Sequence, residues 1–96
     1  MANRDLNHPE GVTLAVADAA KEALTCPDVL RLNVYGGLKR GIILVKAGDG
    51  TFGTATWAFE GDDVKFYDVE SGLDEEVAEN DYRLRGFRLL AEVNGR

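Results

Sequence analysis

Apolar residues recur at helical spacing in the first quarter of the chain. Val12, Ala15, Val16, Ala19, Ala20, Ala23 and Leu24 fall on one stripe, and Asp18, Lys21 and Glu22 lie off it. Asn7-His8-Pro9-Glu10 predicts the helix start: Asn7 suits an N-cap, Pro9 is tolerated in the first turn, and Glu10 stands where a capping box places its carboxylate. Pro27 predicts the stop, near residues 24–26. The stripe is rich in alanine, so the helix can lie close to its packing partner.

After Pro27 the period changes from 3.6 to 2. Leu30, Leu32 and Val34 alternate with Arg31, Asn33 and Tyr35, which predicts a half-buried strand over 30–35. Residues 42–47 are apolar on both faces and predict a central strand. Gly48-Asp49-Gly50 is a hairpin signal. A third strand follows over 52–60, with Ala55, Trp57 and Phe59 on one face and Thr54, Thr56 and Ala58 on the other. Gly61-Asp62-Asp63 predicts a turn into a fourth strand over 64–69, and Ser71-Gly72 an end to the meander. Residues 74–80 predict two short turns of helix with Leu73, Val77 and Ala78 inward.

Residues 82–93 alternate with a phase shift at Gly86, which predicts a fifth strand bulged there. The competing pattern is a C-terminal helix using Leu84, Phe87, Leu90 and Ala91. The expected fold is therefore α+β: one N-terminal helix packed on an antiparallel meander of four to five strands. Val16, Ala20 and Leu24 are expected to face Leu32, Ile43, Val45, Trp57 and Phe59 across the interface.

At 96 residues the chain suits one domain over 1–96, with residues 1–7 expected to form a mobile tail. With 45% hydrophobic residues and 29% charged, it has the makeup of a folded protein rather than a disordered one. The single cysteine, Cys26, permits no internal disulfide and suits a reducing, cytoplasmic compartment. No apolar run reaches the roughly 20 residues of a membrane helix, nor the roughly 7–15 of a secretory leader at the start. The expectation is a protein that neither spans a membrane nor is exported by a leader.

Charge changes the picture most. Residues 60–81 hold ten carboxylates against Lys65 alone, a local charge of −9; the whole chain is −6, so the rest carries +3. Catalytic chemistry finds little footing. His8 is the only histidine and stands beside the tail, while Cys26 stands at a helix C-terminus, where the dipole disfavours a thiolate. One Cys and one His cannot supply four zinc ligands, and Asp62, Asp63, Asp68 and Glu70 do not follow the calcium-loop pattern. Gly36-Gly37-Leu38-Lys39-Arg40-Gly41 lacks the spacing of a phosphate loop. No cofactor and no metal are expected. Net acidity disfavours direct nucleic-acid binding, because affinity comes chiefly from neutralising phosphates. Arg83, Arg85 and Arg88 are read as partners for the acids just before them.

The expected function is a non-enzymatic binding or inhibitor protein whose acidic surface docks on a basic partner, such as a nucleic-acid-binding protein. Asp62, Asp63, Asp74, Glu75, Glu76 and Glu79 are the candidate partner-binding residues. Small phage inhibitors of nucleases offer an analogy of size and charge only. The alternative is a structural or assembly subunit that oligomerises through a sheet edge. The chain is expected to be a monomer or a small homo-oligomer.

Overall fold

The computed structural model describes residues 9–24, 28–35 and 39–94. The expected tail, His8, Cys26, Pro27 and the glycine turn at 36–38 lie outside the described residues. Helix α1 spans Pro9–Ala23, and strands β1 (Asp28–Tyr35), β2 (Arg40–Lys46), β3 (Phe52–Glu60) and β4 (Asp63–Leu73) follow. Each strand pairs antiparallel with the next, so the sheet order is β1-β2-β3-β4, with β1 and β4 at the edges. Helix α2 covers Glu75–Asn94. The protein is α+β, an N-terminal helix on a four-stranded antiparallel meander, with a second helix closing the chain.

The register divides the sheet into two apolar faces. Gly41, Ile43 and Val45 of β2 pair with Trp57, Ala55 and Gly53 of β3 and point toward α1. There Val12, Val16 and Ala20 of α1 bury against Ile43, Val45, Ala55 and Trp57, with Leu24, Leu32, Val34 and Phe59 packed around them. Trp57, the largest of the fully buried side chains, lies across Gly41. A Cβ on Gly41 would sit 1.8 Å from the Asn33 carbonyl oxygen and 2.6 Å from Trp57 Cζ2. Only glycine lets β1 and the indole approach that closely. The hairpin at Gly50 (φ +89°) is held by Asp49, whose carboxylate accepts from the Thr51 amide at 2.9 Å and from its hydroxyl at 2.6 Å.

The other face carries Ile42 and Leu44 of β2, with Phe52, Tyr35 and Leu73 beside them, and α2 covers it with Ala78, Tyr82 and Leu89. This is the main correction to the expected fold. Residues 82–93 are helix, not a fifth strand. A central strand that is apolar on both faces needs cover on both, and an added edge strand would leave Ile42 and Leu44 open to water. The short helix expected at 74–80 is the beginning of α2. Gly86 marks no bulge; a Cβ there would lie 3.4 Å from Ile42 Cδ1, an ordinary packing distance under a helix that passes close to β2. Val77, expected inward, is exposed, whereas Ala78 is buried.

Candidate docking edge and the arginine cluster behind it

Strand β4 is the outer edge of the sheet, and most of it is open to solvent. It begins just after Asp62 in the turn, runs through exposed Asp68 and Glu70, and ends beside Asp74 and the first turn of α2, where Glu75 and Glu76 stand. Seven of the ten carboxylates between residues 60 and 81 therefore follow one edge. Ten residue steps from Asp63 to Leu73 make that edge roughly 30 Å long at about 3.3 Å per residue. Asp62 and Asp63 are not brought together with Asp74, Glu75 and Glu76; the two groups sit at opposite ends, several Debye lengths of about 8 Å apart. Glu79 is not on this edge. It points toward β1, where its carboxylate pairs with Arg31 at 2.9 Å.

The edge is not a regular strand. Glu70 pairs with Thr54 and Tyr67 with Thr56, so Asp68 and Val69 together stand opposite Ala55. Asp68 takes φ +52°, a left-handed conformation that Asp tolerates better than most side chains. This bulge twists the edge and breaks its row of free hydrogen-bonding groups.

Behind the bulge stands a polar cluster that the sequence reading missed. Arg85 is 8% exposed and donates in three directions. Its Nε donates to Asp81 Oδ2 at 2.8 Å, its Nη1 to Thr56 Oγ1 at 2.9 Å, and its Nη2 to the Asp68 carbonyl. Thr54 Oγ1 donates to the same Asp81 oxygen. Burial pushes the Asp81 carboxyl up, but bonds from Thr54 and Arg85 and the charges of Arg85 and Arg88 outweigh it and hold the group below its ordinary value. The cluster clamps α2 to β3 and holds the bulged carbonyl of β4. Its available signals were an Asp and an Arg four residues apart, a helical pair, and two threonines on one face of β3.

Between α2 and β4 the cluster floors an open cleft of about 640 Å³, rimmed by Arg40, Tyr67, Glu70, Arg88 and Glu92. Arg40 and Glu92 pair across one end at 3.1 Å. Counting the cluster, the lining holds three arginines and four carboxylates, so its charge selects neither an anion nor a cation. Tyr67 donates to Glu60, and that bond raises its phenol above the ordinary value. Of the three arginines expected to neutralise the acids, only Arg85 is turned inward. Arg83 and Arg88 are exposed on α2.

Among the described residues no group of three or more His, Cys, Asp or Glu could hold a metal ion. No described helix is long and apolar enough to cross a membrane. Comparison with known proteins finds no family model, no curated protein and no solved structure that matches this chain.

Proposed function

We propose that this is a non-enzymatic binding protein that docks the acidic β4 edge and the start of α2 on a basic surface of a protein partner. The observation that carries the proposal is the alignment of Asp62, Asp63, Asp68, Glu70, Asp74, Glu75 and Glu76 along one open sheet edge. Seven carboxylates against Lys65 over roughly 30 Å give about one net charge per 5 Å, whereas a nucleic-acid duplex carries about one per 3.4 Å on each strand and about one per 1.7 Å overall. The edge thus offers a basic partner a field of the same sign as nucleic acid but weaker. The bulge at Asp68 works against addition of a partner strand, so side chains rather than backbone make the contact. Two such edges repel each other, which favours a basic partner over edge-to-edge assembly of this chain.

The test is affinity capture from the native host at low and high salt, then kinetic binding of the captured partner. Two double variants are compared with wild type, Asp62→Lys with Asp63→Lys and Glu75→Lys with Glu76→Lys, at about 50 and 500 mM salt, a range over which screening changes severalfold. At low salt each is expected to lower the association rate about tenfold or more, an effect that fades at high salt. Equal rates for wild type and both variants at both salts would refute the proposal and leave the acids as a device that keeps the exposed edge soluble.

A further inference from the structure

We infer that the cleft between α2 and β1 binds a small aromatic carboxylate, with its ring against the apolar wall of the cleft and its charge on Arg83. The cleft measures about 250 Å³, just below the roughly 300–1,000 Å³ of sites for drug-sized ligands, so it suits a molecule of one or two rings. It exists because α2 packs mainly over β2 and β3. The side chains of Arg31, Asn33 and Tyr35 on the edge strand β1 are thereby left beside the helix rather than under it. The cleft lies on the flank of α2 away from the β4 edge, so this inference and the acidic docking edge stand or fall separately.

The hydroxyl of Tyr82 carries the inference. Tyr82 is 7% exposed, and its hydroxyl is buried with no hydrogen-bond partner among the described residues. Buried polar groups in native folds are almost always bonded, so one that is not calls for a partner from outside the chain. The groups whose charges act on this phenol are Tyr35, Arg31 and Glu79, and all three line the cleft with it, so the hydroxyl stands at the cleft floor. A second hydroxyl lies in the same lining. The Tyr35 oxygen accepts from Asn33 Nδ2 at 3.1 Å, which leaves its own proton to donate.

Charge and shape set the class of ligand. Arg31 is taken up by Glu79 at 2.9 Å, whereas Arg83 lines the cleft and forms no ion pair among the described residues. Two arginines against one carboxylate give the lining a charge of +1 in a chain of −6, so an anion is favoured here. Two hydroxyl protons and a guanidinium are all donors, and a carboxylate accepts from all of them. The rest of the wall is apolar, from Ile42, Phe87 and Leu90. Gly86 flattens it: a Cβ there would stand 3.4 Å from Ile42 Cδ1 and 3.8 Å from the Tyr35 hydroxyl. Glycine is a poor helix former, and Gly86 is not among the residues with positive φ, so the backbone does not require it. The space it leaves beside the two tyrosines is where a planar ring fits.

The probe is benzoate, titrated into the isotope-labelled full chain and followed by amide NMR shifts. Benzyl alcohol, which has the ring without the charge, and acetate, which has the charge without the ring, are titrated alongside. Each is raised to about 20 mM, well above the dissociation constant on the order of 1 mM that suits a ligand as small as benzoate. Benzoate is expected to give saturating shifts centred on Asn33, Tyr35, Tyr82 and Gly86, and each control to bind about fivefold more weakly or worse. Arg83→Gln and Tyr82→Phe are each expected to weaken benzoate about fivefold or more, with the amide spectrum showing the fold intact. Gly86→Ala is expected to weaken it too, although alanine favours the helix. Arg88→Gln, on the opposite flank of α2, is expected to leave it unchanged. Shifts that rise linearly without saturating would overturn the inference, and so would benzoate binding no better than both controls. Wild-type affinity in either Arg83→Gln or Tyr82→Phe would overturn it as well. An Arg88→Gln loss equal to that of Arg83→Gln would mark general attraction of anions and refute a built site.

Discussion

Replacing Arg85 by methionine isolates the polar cluster that ties α2 to the sheet. Methionine keeps most of the buried stem but removes the donors to Asp81, Thr56 and the Asp68 carbonyl. Breaking a buried ion pair by deleting one partner costs about 3–5 kcal/mol, and a hydrogen bond to a charged group contributes about 1.5–3 kcal/mol. The Asp81 side chain remains 32% exposed, so water can take over part of the lost solvation. The Asp68 carbonyl lies at an exposed residue and can do the same. The expected loss is therefore near the lower bound, about 2–3 kcal/mol at pH 7. For a domain of this length that lowers Tm by roughly 10–20 °C.

Urea unfolding followed by circular dichroism reads the loss as a fall in the midpoint at unchanged slope. The effect also has a pH signature. The Asp81 carboxyl titrates below its ordinary value in the folded protein, so it contributes stability above pH 3.8 that is lost as pH falls through the folded pKa. Without Arg85 that depression shrinks. The gap between wild type and variant is thus full at neutral pH and narrows toward about pH 2. Adding Asp81→Leu to Arg85→Met should recover much of the loss, because it removes the carboxylate left behind. A loss under about 0.5 kcal/mol at pH 7, the size of an ordinary surface substitution, would refute the assignment of the cluster as a clamp.

Two of the glycines that face packed neighbours, Gly41 and Gly86, should respond in opposite ways. Gly41→Ala places its Cβ 1.8 Å from a backbone oxygen, so β1 and β2 must part, and a loss above about 3 kcal/mol is expected by thermal unfolding. Gly86→Ala places its Cβ at ordinary contact distance within a helix, so a gain of about 0.5–1 kcal/mol is expected from helix propensity. Burial, reinforced by Tyr35, pushes the Tyr82 phenol up to about 12. Since the neutral form is the one favoured by folding, its contribution is full below pH 10 and is lost as pH rises from 10 to about 12. Ultraviolet titration of wild type against Tyr82→Phe should show the early part of the curve unchanged and the step at about 12 lost. In the acidic edge, Glu75→Lys with Glu76→Lys should also lower stability, by about 0.3–1 kcal/mol per residue, because both stand in the first turn of α2, where the helix dipole favours carboxylates.

The order α1-β1-β2-β3-β4 was legible in the chain because each element has its own period. The stripe at Val12, Val16 and Ala20, the doubly apolar run in β2 and the glycine hairpin at Gly50 act over a few residues and require no knowledge of the rest. The alternation at residues 82–93 was a different case: it fits a strand by period 2 and a helix through Leu84, Phe87, Leu90 and Ala91 by period 3.6, whereas the face that α2 buries is Ala78, Tyr82, Arg85 and Leu89. Local pattern could not choose between them; the uncovered face at Ile42 and Leu44 did. The acidic excess was visible as a number, but its layout was not. Whether ten carboxylates form a cluster, a ridge or scattered pairs depends on where a strand lies in the sheet. The edge position of β4 stretched seven of them along one line, and the turn of α2 sent Glu79 to Arg31. The Arg85 cluster was least legible of all, because its members come from α2, β3 and β4. Residues so far apart in the chain meet only after the sheet has formed and the helix has packed on it.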